Sequence, residues 1–242
     1  MRNTEDIIIR SVVLNCFIDR CWLETSKIAG TIHSLDEREQ QRKTIYNWLN
    51  RVDYAKYLSP NEKLVFEIEI SKRTKRKILV NVNQYEALEP LLWSVGLIKD
   101  LSSYDDWVTK DFHDILNIGA NHNLSSIVKN SKIRDTKDIE AAYLIAKIWY
   151  WRMCKYTVAT AEKNIYKYIA KSLGADTAKN AVRLGLFSRF STDLKIDGKP
   201  IRTLNTQDYI KLQSIAYWRF YALMWLTSEY DWDLIANNIN IG

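Results

Sequence analysis

Apolar positions recur at three- and four-residue spacing along most of the chain, and the polar residues between them mark helix ends. From Thr4 to Leu23 the set Ile7, Ile8, Val12, Leu14, Phe17 and Ile18 follows this rhythm. The opening Thr4-Glu5-Asp6 reads as an N-cap with acid at the positive end of the helix dipole. Ser34-Leu-Asp-Glu37 has capping-box spacing and leads into a polar helix carrying Ile45, Trp48, Leu49 and Val52 on one side. Ser59-Pro-Asn-Glu62 adds a proline at the first helical position and starts a third helix. The period then changes to two: Phe66, Ile68 and Ile70 alternate with Glu67, Glu69 and Ser71, and Ile78, Val80 and Val82 alternate again. That pattern fits a small β-hairpin near 64–82 with a basic run at its tip.

Asn83-Gln-Tyr-Glu86 returns the chain to a helix with Leu88, Leu91, Leu92 and Val95 apolar, Pro90 placed to kink it and Gly96 at the C′ position. Residues 100–131 are polar and interrupted by Gly119, which predicts a surface connection with one short helix near 110–117. From Thr136 to about Lys171 there is no Gly or Pro, and Ile139, Leu144, Ile148, Trp151, Val158, Ile165 and Ile169 form an apolar face. This predicts a long helix with a break near Thr157 to Ala161. Residues 173–205 hold three of the seven glycines and the turn Asp197-Gly-Lys-Pro200, so short helices and loops are expected before a last helix over Thr206–Thr227. No repeat or linker divides the chain. The expectation is one all-α, multi-helix, orthogonal or bundle-like domain over 1–242, with 160–205 as an inserted or extended region and the helices at 83–96, 136–158 and 206–227 as its core.

Composition supports the helical reading: nine Trp, fourteen Tyr and six Phe supply core area, while seven Gly and three Pro are few for 242 residues. Cys16, Cys21 and Cys154 are odd in number and match no metal spacing, which points to a reducing, cytoplasmic compartment. The N-terminal segment turns polar at Asn15 and Asp19, unlike a secretory leader, and no uncharged stretch reaches the roughly 20 residues of a membrane span. The net charge of +6 raises the question of nucleic acid, but its one dense cluster is Lys72 to Lys77, and isolated basic runs are usually solvated loops.

Motifs for chemistry are sparse. GxGxxG, GxxxxGK[ST], HExxH and GxSxG are all absent, and His33, His113 and His122 are far apart in sequence, so no metal or cofactor is expected. Two aromatic and charged segments stand out. In Tyr85 to Ile98, Glu86 and Glu89 share a helical face with Trp93; in Trp218 to Asp233, Arg219 lies among Trp218, Trp225 and Asp231. An arginine so placed either stacks and pairs with Glu86 or Asp231 inside the core or lines an anionic-ligand pocket.

The chain resembles the bacterial family named domain of unknown function 4272. The resemblance rests on Arg10, Trp48-Leu49, Leu58-Ser-Pro-Asn-Glu62, Glu86-Ala-Leu-Glu-Pro-Leu-Leu-Trp-Ser-Val-Gly96, Lys132-Ile-Arg134, Arg219-Phe-Tyr-Ala-Leu-Met-Trp-Leu226 and Trp232-Asp233, in that order. Trp149-Tyr-Trp-Arg152, Asn237-Asn238 and the extra length at 160–205 depart from the family pattern. The resemblance implies an all-α fold and names no activity.

Three functions are therefore in play. The first is a protein-interaction module, inhibitor- or immunity-like, with another protein as partner, because no catalytic set is visible. The second is a small-ligand binder or enzyme with a pocket of Arg219, Trp225, Glu86, Trp93, Arg134 and Asp231. The third, nucleic-acid binding through 72–77, is disfavoured.

Overall fold

The computed structural model describes residues 2–25, 34–72, 80–119, 122–155 and 164–239. The helices are α1 (Thr4–Thr25), α2 (Leu35–Arg51), α3 (Pro60–Glu67), α4 (Tyr85–Ser94), α5 (Phe112–Ile115), α6 (Leu124–Lys129) and α7 (Thr136–Cys154). They continue with α8 (Ile165–Leu173), α9 (Ala175–Arg183), α10 (Thr206–Thr227) and α11 (Ile235–Asn238). Short 3-10 turns lie at Ala55–Tyr57, Ile201–Thr203 and Trp232–Leu234. The fold is all-α, with a two-strand antiparallel hairpin, Lys195–Ile196 paired with Lys199–Pro200, around the positive-φ Asp197 and Gly198. Among the described residues no helix is long and apolar enough to cross a membrane.

Both predicted capping boxes are present. Ser34 Oγ accepts from Glu37 N while Ser34 N donates to the Glu37 carboxylate, and Ser59 and Glu62 repeat the arrangement. α1 differs by one residue: the cap is Asn3, whose Oδ1 accepts from Asp6 N at 2.8 Å, so Thr4 is already helical. α4 differs more. Its N-cap Gln84 makes no side-chain cap bond, and the Glu86 carboxylate turns to tertiary partners instead.

The strands expected near 64–82 are not where the alternation placed them. Phe66 and Glu67 finish α3, Ile68 caps it, and 80–82 is helical, while 73–79 falls outside the described residues. Alternation over three apolar positions is too short to outweigh a strong capping box upstream. The long helix ends at Cys154 with Lys155 as its cap, and the expected break at 157–161 lies outside the described residues. The 100–131 connection holds two short helices, α5 and α6.

α1 is the element whose importance the core expectation missed. Ile7 through Ile18 are all buried, the polar Arg10, Ser11 and Asn15 included, so the helix is surrounded rather than laid on a surface. It packs on α2, α3, α4 and α6, while α10 packs on α7 and α4. These helices enclose one apolar core. A second core lies beside it, formed by the C-terminal half of α7 (Ile148, Trp151, Met153), α8, α9 and the start of α10.

A candidate ligand cleft and three structural clusters

The six residues singled out in the sequence occupy three separate places. Arg219 on α10 meets Glu86 on α4: its Nε donates to Glu86 Oε2 at 2.9 Å, and Nη2 lies 2.8 Å from the same oxygen. Its Nη1 donates to the carbonyls of Ser102 and Ser103, both at 2.7 Å, and its plane lies 4.9 Å from the Tyr104 ring. Glu86 Oε1 accepts from Val108 N at 2.7 Å; Glu89 accepts from Ser102 N and Oγ and from Lys110 Nζ. Arg219, Glu86 and Glu89 are 2%, 1% and 0% exposed, so the pair is sealed. Burial pushes the Glu86 carboxyl up, and Arg219 and the Val108 amide pull it back. The cluster ties the 100–110 segment to α4 and α10 across 133 residues of sequence.

Trp93 and Arg134 form the second place. Arg134 stacks on Trp93 at 4.7 Å and donates to the carbonyls of Trp93, Ile98 and Lys99, a cation serving the carbonyl end of α4. Gly96 belongs to this turn. Its φ is +77°, and a Cβ there would sit 3.1 Å from the Lys132 carbonyl oxygen.

Trp225 and Asp231 lie at the third, a cleft of about 380 Å³ that also takes in Arg2, Arg10 and Trp232. Arg2 stacks on Trp225 at 4.8 Å and Arg10 on Trp232 at 4.9 Å, while Arg10 also pairs with the buried Glu62 of the capping box. Asn61 N donates to Asp233 at 3.0 Å. The start of α3 is thus held by α1 and by the C-terminal Trp232-Asp233. The rest of the α10 aromatic segment is core: Trp218, Phe220 and Tyr221 are buried.

A larger cleft, of about 800 Å³, opens between α1, the 82–86 segment and residues 107–113. α1 contributes Asn15, Asp19, Trp22 and Thr25; Val82, Tyr85, Trp107 and Val108 supply apolar walls; Asp111 and His113 stand opposite, and Glu86 is the link to the sealed pair. Asn15 Nδ2 donates to Asp19 Oδ2 at 3.2 Å. Burial pushes the Asp19 carboxyl from its ordinary 3.8 up to about 6; the His113 imidazole and the Asn15 amide pull it down, and Asp111 adds to the rise. Tyr85 donates its hydroxyl to the Lys110 carbonyl at 2.8 Å and packs on Phe112, which fixes its ring at the wall. Asp111 caps α5 by accepting from His113 N at 2.9 Å, which fixes the 111–113 corner.

Of the expected site residues only Glu86 touches this cleft, and Asp19 was read in the sequence solely as a break in an apolar segment. A usable signal existed: Asn15, Asp19 and Trp22 recur at four and three residues along α1 and so share one helical stripe. His122 lies elsewhere, with Nε2 3.0 Å from the Tyr54 hydroxyl and its ring 5.4 Å from Trp48. Among the described residues no group of three His, Cys, Asp or Glu is placed to hold a metal. Of the basic run, Lys72 is exposed and the rest lies outside the described residues.

The family model described as Domain of unknown function (DUF4272) matches residues 1–165. The chain belongs to this family. The DUF4272 match covers α1 to α7 and stops at the first residue of α8, so the second core's α8, α9 and hairpin, and all of α10, lie beyond it. All described residues lining the larger cleft fall within the DUF4272 span. No curated protein and no solved structure matches the chain.

Proposed function

We propose that this protein binds a small organic ligand in the cleft between α1 and residues 107–113. One observation carries the reading: a concave, mainly apolar space of about 800 Å³ with a part-buried carboxylate, Asp19, in its wall. Apolar walls with a few converging polar groups are the usual make-up of ligand sites, and a carboxyl shifted toward neutrality is costly to keep unless it is used. The pocket expected from sequence, built on Arg219, has no opening because the guanidinium is committed to Glu86 and two carbonyls. The burial of Trp218, Phe220, Tyr221 and Trp225 counts against a protein-interaction reading, because α10 then offers no continuous aromatic patch to a partner.

The test is equilibrium binding of N-phenyl-1-naphthylamine, a neutral apolar dye whose fluorescence rises in dry pockets. Saturable binding is expected, weakened about tenfold, or 1.4 kcal/mol, by Trp107→Ala, which removes a wall, and by Asn83→Trp, which fills the mouth. Binding indifferent to both substitutions would place the dye elsewhere and refute the reading.

A further inference from the structure

We infer that the ligand of this cleft is an amphipathic organic cation, a protonated amine on an aromatic or alkyl body; this rests on the cleft being a ligand site. Charge is the first reason. The chain carries a net charge of +6, yet the described residues lining the cleft include no Lys or Arg and do include the carboxylates of Asp19 and Asp111. The third carboxylate, Glu86, is already neutralised by Arg219 from behind. Among the described residues no Lys or Arg pairs with Asp19 or Asp111: Asp19 accepts from the Asn15 amide and Asp111 from two backbone amides of α5. An entering cation supplies a partner that the described residues do not, and in a partly dry site that pairing is stronger than in water. An anion of the same shape meets repulsion, and a neutral ligand leaves the carboxylate desolvated and unpaired.

Shape is the second reason. Trp22, Tyr85 and Trp107 line the same space, and aromatic faces beside a carboxylate attract ammonium groups through the ring quadrupole while sheltering an apolar body. Trp22 lines the cleft and is 48% exposed, so its ring is open to an entering ligand. The proton balance follows from the groups facing Asp19: Asn15 and Cys16 on its own helix, Tyr85 on α4, and Asp111 and His113 from the opposite segment. Protonating Asp19 removes the attractive charge. Affinity for an amine therefore rises from acid toward neutral pH.

The test uses the whole chain with N-phenyl-1-naphthylamine bound, displaced by three matched compounds: 3-phenylpropylamine, 3-phenylpropan-1-ol and 3-phenylpropanoate. At about pH 7.5, where the amine and Asp19 are both charged, the amine should displace the dye at about one-tenth the concentration needed for the alcohol, with the propanoate weakest. Asp19→Asn keeps the side-chain shape; with displacement measured against that variant's own dye affinity, it should lose the preference for amine over alcohol. If the amine and alcohol act alike, if the propanoate is strongest, or if Asp19→Asn keeps the preference, the cation assignment is wrong although the cleft binds ligand. If the dye is not bound, or Asn83→Trp leaves its binding unchanged and none of the three displaces it, both the assignment and the cleft reading fall.

Discussion

The two cores of this molecule are each crossed by a buried arginine–carboxylate pair, and the pairs are wired differently. In the main core Arg219 reaches 133 residues back to Glu86 and also holds the carbonyls of Ser102 and Ser103, so three remote segments depend on one guanidinium. In the second core Arg152 donates from Nε and one Nη to the two oxygens of Asp193, at 2.7 and 2.8 Å, across 41 residues. Asp193 also accepts the backbone N–H groups of Leu194 and Arg202, each at 2.9 Å, so its carboxylate keeps partners without the arginine. The first pair therefore fixes the global arrangement. The second staples the hairpin to the end of α7, where the DUF4272 match has almost ended.

The largest effect should follow from Arg219→Met. Removing one member of a buried pair costs about 3–5 kcal/mol, because Glu86 and Glu89 stay buried at the interface without the cation between them. A urea midpoint measurement should show the loss over the whole chain, and hydrogen exchange should rise through residues 100–110. Arg152→Met should cost less, about 2–3 kcal/mol, since the backbone still serves Asp193. Its increased exchange should be confined to 164–205; a cooperative loss reaching α1 and α4 would break the distinction between the cores.

Asp19→Asn should act in the opposite direction. The carboxyl of Asp19 is raised in the fold, so its favourable contribution is complete below its ordinary value of 3.8 and is lost as pH climbs through about 6. At pH 8 the substitution should stabilise the chain by about 2 kcal/mol, discounted for partial exposure, and the gain should vanish below about pH 4. Thermal melts at both ends of that range measure it. A stabilising change that abolishes the amine preference would sharpen a second contrast, between pairs that hold the fold and a carboxylate held at its expense. The smallest effect is expected from Gly96→Ala, about 1 kcal/mol, from the left-handed backbone and the near Lys132 carbonyl. A chemical denaturation midpoint would register it.

How legible all this was depended on the range of the interactions. Ser34, Ser59 and the Thr206–Thr227 boundaries were readable because a cap is settled within four residues by backbone hydrogen bonding. Glu86 shows where local reading stops. Its segment suggested a helix start, and a helix does begin at Tyr85, but the Glu86 carboxylate pairs with Arg219 and Val108 N in place of a cap. The Arg219–Glu86 alternative was visible as a pairing of residue types, whereas nothing in their spacing separated it from Arg219 with Asp231.

The sequence by itself determined the all-α class, the positions of most helices, the lack of known catalytic motifs and the membership of DUF4272, because those follow from periodicity, capping and short-range patterns. Only the tertiary structure decided which charges are sealed and which are not. It buried α1 on all sides from Ile7 to Ile18, spread six candidate residues over three clusters, and left Asp19 facing aromatic walls across from residues about 90 positions away. The physical reason is that desolvation and Coulomb energy depend on distances in space and on what excludes water, and neither is written in the order of residues along a chain.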